Sequence, residues 1–281
     1  MTITGRIGTH VSIAGGVQNA PSRAAAEGCE TFQCFTRSPQ GGPAPALTED
    51  VLNAFKGEMA KAGIDRFYIH SPYYINLASL EGRIYHSSIK VLREELERGS
   101  LLGARYVMAH PGSYKDQTLE QATEKVRDAI DKILNGYTGS CQFLVEISAG
   151  AGNVLGDTFQ EVADMIDRAK GQPGFGGVCF DTCHAFGSGY DYRTPEKARA
   201  MLKEFDKYVG LEYLKLSHVQ DSKVDLGGKR DRHEHIGDGF VSEEGLASLL
   251  QTPEFQAIDW LLETPHDKVQ QDIEKLKNIR G

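Results

Sequence analysis

Gly177 to Tyr190 read GVCFDTCHAFGSGY, an apolar run closed by Asp181 and followed by His184, with Cys179 and Cys183 interleaved. Taken as a strand over 177–181, the run is one of eight of its kind. Short β-branched or aromatic segments also stand at 7–12, 30–36, 66–70, 105–110, 142–147, 211–218 and 259–263. Each is followed by a segment of helical period, the alternation that builds a parallel sheet. Among these are EDVLNAFKGEMAKAG, SSIKVLREELERGSLLG and PEKARAMLKEFDKYVG, the last with a proline at a first-turn position and a glycine at its end. Eight strand–helix units in 281 residues predict an α/β fold, a single (β/α)8 TIM barrel rather than a doubly wound sheet. No linker or low-complexity stretch divides the chain, so it reads as one domain over 1–281.

The ionisable residues fall where such a barrel would collect them. His70, His110, Glu146, Asp181, His218 and Glu263 sit at or beside the C-terminal ends of six successive strands, 40, 36, 35, 37 and 45 residues apart. Those ends meet on one face, the face that carries the active site in TIM-barrel enzymes. Carboxylates and imidazoles crowded into one pocket are costly unless compensated, and divalent cations both remove the repulsion and use the imidazole lone pairs.

Residues two apart on a strand share a face, so Cys179 and Asp181 both point to the axis, Cys179 as a packed residue below the site. Oxygen and imidazole donors suit zinc or manganese without sulfur. Asp181 and His184 are therefore the functional pair of the stretch, rather than Cys183. A second cluster, DRHEHIGDG, offers Asp231 and His233 from a basic, glycine-rich loop after the seventh strand, with His184 available as a third ligand and His235 as the competitor of His233. His86 and His266 read as surface or cap residues, and His10, ending the first strand with no carboxylate beside it, is left open.

The rest of the composition sets bounds. No apolar leader opens the chain and no run of about 18 apolar residues occurs, which leads to the expectation of a cytoplasmic protein without a membrane partner. Five scattered cysteines argue for free thiols rather than a disulfide framework. A formal charge of −8 opposes non-specific binding to nucleic acid unless cations on one face offset it.

With LVEISAGAGNVLG, GVCFDTCHAFGSGYD and HVQDSKVDLGGKRDRHEHIGDG in place, supported by GTHVSIAGG and HSPYYINLA, the chain resembles the endonuclease IV family of apurinic/apyrimidinic (AP) endonucleases over essentially its full length. The resemblance implies three divalent ions, zinc in the first instance with manganese possible at one or more sites. It assigns His70, His110 and Glu146 to one ion, Glu146, Asp181, His218 and Glu263 to a second, and His184, Asp231 and His233 to a third, with Glu146 shared. It further implies a monomer that acts on double-stranded DNA containing abasic sites. A metal-activated hydroxide would hydrolyse the phosphodiester 5′ to the lesion, leaving a 3′ hydroxyl and a 5′-deoxyribose phosphate, with Glu146 catalytic.

Expected DNA contacts are Arg37 after the second strand, Lys223, Arg230 and Arg232 around Asp231, and Tyr73 and Tyr74, which the resemblance places in a loop that enters the minor groove. The chain departs from the family pattern at TRSPQGGPAPAL, where Gln40 stands near the position of an intercalating arginine, at Gln220 in place of Asn, and at Ile147 in place of Asn. The alternative is a metal-dependent sugar isomerase or epimerase on the same barrel. It accounts for Glu146, Asp181, His218 and Glu263 but leaves His70, His110, Asp231 and His233 without a purpose.

Overall fold

The computed structural model describes residues 4–281, so the first three positions of the expected domain lie outside the described residues. Eight strands pair in parallel and in sequence order around a closed barrel: β1 (Ile7–His10), β2 (Thr31–Cys34), β3 (Tyr68–His70), β4 (Tyr106–Ala109), β5 (Gln142–Glu146), β6 (Phe175–Asp181), β7 (Leu214–His218) and β8 (Asp259–Leu262). Around them lie α1 (Ala20–Ala26), α2 (Glu49–Ala62), α3 (Gly82–Leu102), α4 (Leu119–Leu134), α5 (Phe159–Ile166), α6 (Thr182–Ser188), α7 (Pro195–Tyr208), α8 (Glu243–Leu250), α9 (Pro253–Gln256) and α10 (Val269–Arg280). Thr48, Thr118, Thr158 and Thr194 open four of these helices, each hydroxyl accepting from the third helical N–H, so polar residues at the loop exits start the helices that the apolar stripes then dock. None of the described helices is long and apolar enough to cross a membrane.

Several expected strands are trimmed at their ends, and the one expected over 211–218 loses its first three residues to a different element. Leu211–Tyr213 is a 3-10 turn, and β7 begins only at Leu214. Gly210, at φ 96°, turns the chain out of α7, and the Leu211 N–H is taken by the Asp206 carboxylate instead of by a ladder.

Inside the barrel, Tyr68, Tyr106, Met108, Leu144, Cys179, Leu216 and Leu261 form a small apolar plug. Tyr68 closes its floor, its hydroxyl donating to Asp259 Oδ2 at 2.6 Å. A larger cluster fills the space between strands and helices. Which side each residue of β6 faces depends on an irregularity. Phe143 pairs with Phe175, but Leu144 pairs with Gly177, so one extra residue is inserted. Gly177 has φ 143°, and a Cβ there would lie 2.3 Å from the Tyr213 carbonyl oxygen, so only glycine fits. Phe175 consequently packs in the outer cluster, while Cys179 and Asp181, an even number of residues on, face the axis.

Candidate metal centre

The plug supports the site. Two residues beyond Tyr68, Met108, Leu144, Cys179, Leu216 and Leu261 come His70, His110, Glu146, Asp181, His218 and Glu263, so strand alternation alone lifts six ligand-type side chains onto one layer. Asp181 then places a seventh. Its Oδ1 accepts from the His184 N–H at 2.7 Å as the N-cap of α6, which holds the imidazole over the barrel mouth. His233 comes from a two-residue ribbon in which Asp221–Ser222 pairs antiparallel with His233–Glu234. The buried Asp221 carboxylate pins the return of that loop by accepting from the N–H groups of Gly239, Val241 and Ser242.

Glu146 is fully buried at the centre. Its Oε2 lies 3.2 Å from His70 Nε2 and 3.5 Å from His110 Nε2, and its Oε1 lies 2.8 Å from His218 Nδ1 and 3.5 Å from His184 Nδ1. One carboxylate thus turns a separate oxygen to each of two imidazole groups. Three sets of donor atoms each fall within 4.8 Å of one another: His70, His110 and Glu146; Glu146, Asp181, His218 and Glu263; and His184, Asp231 and His233. A fourth, overlapping set contains Asp181, Cys183 and His233. Asp231 is the most open member, its side chain half exposed, with Oδ1 3.0 Å from His233 Nε2 and Oδ2 3.3 Å from His184 Nε2.

The orientation of the rings matches cation binding. His70, His184 and His233 each turn Nδ1 to a main-chain carbonyl, of Ser71 at 2.7 Å, Ile147 at 2.9 Å and Glu263 at 3.2 Å, which leaves Nε2 directed at the carboxylates. An imidazole fixed through one nitrogen with the other free is the usual arrangement of a metal-ligating histidine. His184 Nε2 is buried and makes no hydrogen bond, an orphan that a cation would satisfy.

Protons hold the charges together in the metal-free chain. Burial lowers His184, but Asp181 and Asp231 outweigh it and hold it up at about 10. Burial likewise opposes the Asp231 hydrogen bond at His233, which is held at about 9. Burial raises Glu263, yet His218 and His70 bring it down to about 2, and Glu146 lies well below its ordinary value among His110 and His218. Burial pushes His110 down to about 4 and His10 to about 3. At neutral pH His184 and His233 are protonated, so cation uptake and loss of those protons form one equilibrium.

The expected DNA contacts fare differently. Lys223, Arg230 and Arg232 are exposed on the loop carried by the ribbon. Tyr73 is 71% exposed at the cleft, edge-on to Phe35 at 5.3 Å. Tyr74, its neighbour, is half-buried against the outer core. Arg37 does not match its expectation. It is buried, with its guanidinium bound by Glu95 and by Glu94 at 3.0 Å, which leaves it no open face for a phosphate. His235 is likewise removed from the competition with His233, since it is buried on Asp272 at 2.7 Å. His86 is exposed on α3, and His266, exposed beside Glu27, borders the cleft. The cleft above the centre holds about 450 Å³ and is bordered by His10, Tyr73 and Thr264 besides the ligand-type residues. Two buried amides join the site without having been expected there: Gln220, which donates to Asp181, and Gln33. Gln33 carries no charge, and its only signal in the sequence is an inward position on β2.

Residues 21–279 match the family described as xylose isomerase-like TIM barrel. The chain is 38% identical to a probable endonuclease 4 of Methanoculleus marisnigri, over 98% of this chain and 97% of that one. It is 35% identical to a probable endonuclease 4 of Halothermothrix orenii, over 92% and 93%. Its structure is similar to that of endonuclease IV from Thermus thermophilus, with a TM-score of 0.82 and 34% identity over 98% of this chain and 97% of that one.

Proposed function

Because this chain belongs to the endonuclease IV family, on a xylose isomerase-like TIM barrel, we propose that it is an AP endonuclease acting as a monomer on duplex DNA and hydrolysing the phosphodiester 5′ to an abasic site. The products are a 3′ hydroxyl and a 5′-deoxyribose phosphate. The observation that carries the reading is the meeting of three donor sets around Glu146, including His184, Asp231 and His233, for which a sugar isomerase has no use. Three divalent ions, zinc or in part manganese, would be held by those sets, and when bound they supply the positive charge that activates water and stabilises the phosphate and leaving oxygens.

The chain's own residues do the rest. Glu146, fully buried, spaces the two imidazole groups with its two oxygens. Asp231, half exposed at the rim, closes the third set on the side from which the backbone would arrive. Lys223, Arg230 and Arg232 stand on the adjacent exposed loop as phosphate contacts, and their effect is salt-dependent. The test is incubation of the zinc-loaded protein with abasic and intact duplexes. Attack at phosphorus makes no demand on the sugar aldehyde, so a tetrahydrofuran analogue is expected to be cut as well, and to leave an end that a polymerase extends. Cleavage of the natural abasic sugar alone would identify an elimination instead.

The two tyrosines are expected to separate. Tyr73, open at the cleft, is placed to fill the stack that an abasic nucleotide leaves, a contact of about 1–3 kcal/mol. Tyr73→Ala is expected to lower the preference for abasic over intact duplex roughly tenfold at matched salt, with zinc content and Tm close to the parent. Tyr74→Ala is expected to cost about 1 kcal/mol of stability by removing half-buried packing, with discrimination unchanged. Equal effects of the two changes on discrimination would mean that the wedge is shared.

A further inference from the structure

Strand β2 contributes no ligand-type side chain to the centre, yet its inward residue reaches into it. Gln33 is fully buried, and both ends of its amide are engaged. Nε2 lies 2.6 Å from Glu263 Oε1 and 3.0 Å from His10 Nδ1, and Oε1 lies 2.8 Å from His218 Nε2. The chemistry of the partners fixes the orientation. A carboxylate can only accept, so the amide nitrogen faces Glu263 and the amide oxygen faces His218. His218 Nε2 therefore donates to the amide oxygen, and with a cation bound Nδ1, which lies 2.8 Å from Glu146 Oε1 and 3.6 Å from Glu263 Oε2, is the nitrogen left to ligate it. The second N–H of the amide is directed at His10 Nδ1, which accepts.

His70, His184 and His233 are oriented by main-chain carbonyls, which no substitution removes. His218 alone among these four rings is anchored through a side chain. We propose that Gln33 is a positioning residue of the metal centre: its amide selects Nδ1 of His218 as the ligand atom and aims the carboxylate of Glu263, with His10 as the acceptor that completes the relay. The assignment rests on the metal-centre reading above and concerns the group through which β2 takes part in it.

The test uses the full-length, zinc-loaded protein labelled with 15N-histidine, in which long-range proton–nitrogen spectra identify the protonated ring nitrogen. In the parent, His218 is expected to be protonated at Nε2. Gln33→Met has a similar length and neither donor nor acceptor. It is expected to retain its Tm, to lose the Nε2–H signature of His218, and to bind zinc roughly ten- to a hundredfold more weakly in competition with a chelator, the usual effect of losing a group that orients a ligand. If Gln33→Met does not fold, Gln33→Asn, which withdraws the amide by one methylene, takes its place, with the same changes expected in both measurements. A parent protonated at Nδ1 of His218, or a folded variant with the zinc affinity of the parent, overturns the proposal. A parent that takes up no zinc overturns the metal-centre reading together with it.

Discussion

Glu146→Gln is expected to lower turnover on an abasic duplex by a factor on the order of 10³ while leaving a folded barrel. The amide has the same shape as the carboxylate, so the apolar layer beneath it is undisturbed. The charge is what disappears, from a point within 3.5 Å of nitrogens of four imidazoles. Two of the donor sets share this residue, so both lose a ligand at once. Loss of an orienting partner outside the ligand shell costs about 10–100-fold in metal affinity or activity, and loss of a shared ligand costs more. Metal analysis and single-turnover cleavage on the same sample give the answer. A variant with parental zinc content and near-parental cleavage would remove Glu146 from the bridging role.

Glu95→Ala is expected to be strongly destabilising although it lies away from the cleft. Glu95 is buried on α3 and accepts from Thr36 Oγ1 at 2.7 Å and from the Arg37 guanidinium, whose side chain is 4% exposed. Removing the acid leaves a buried cation that cannot neutralise itself, at a cost of about 3–5 kcal/mol. For a chain of this size that corresponds to a fall in Tm on the order of 10 °C. The double change Arg37→Met with Glu95→Leu should recover most of the loss, because no unpaired charge remains. Thermal unfolding of the three proteins decides it. A single mutant within about 1 kcal/mol of the parent would show that Glu94 alone can hold the guanidinium.

These two residues also mark what is legible in the chain and what is not. Glu146 and its companions on β3 to β8 are legible because a parallel barrel repeats its strand ends at a nearly constant interval and turns alternate residues inward. Asp231 and His233 are legible from their spacing in a glycine-rich loop. Arg37 misleads because a cation after a strand looks the same whether it faces solvent or an acid 58 residues further along. Tyr73 and Tyr74 cannot be told apart as adjacent aromatics, because packing against the outer core separates them and local pattern does not. Gln33 is silent for a simpler reason. An amide has no charge to signal its partners, and its worth depends on three side chains from β1, β7 and the end of β8.

The inserted residue in β6 gives the strand one residue of slack between Phe175 and Cys179. Deleting one glycine of the Gly176–Gly177 pair would leave an unbroken ladder with β5, Phe175 still opposite Phe143 and Cys179 still opposite Glu146, so every later side chain would keep its wall. Val178 and Phe180 would still face the helices, and Asp181 would still stand at the axis and at the start of α6. A one-residue loss after Cys179 meets no such slack and would turn Asp181 to the opposite wall.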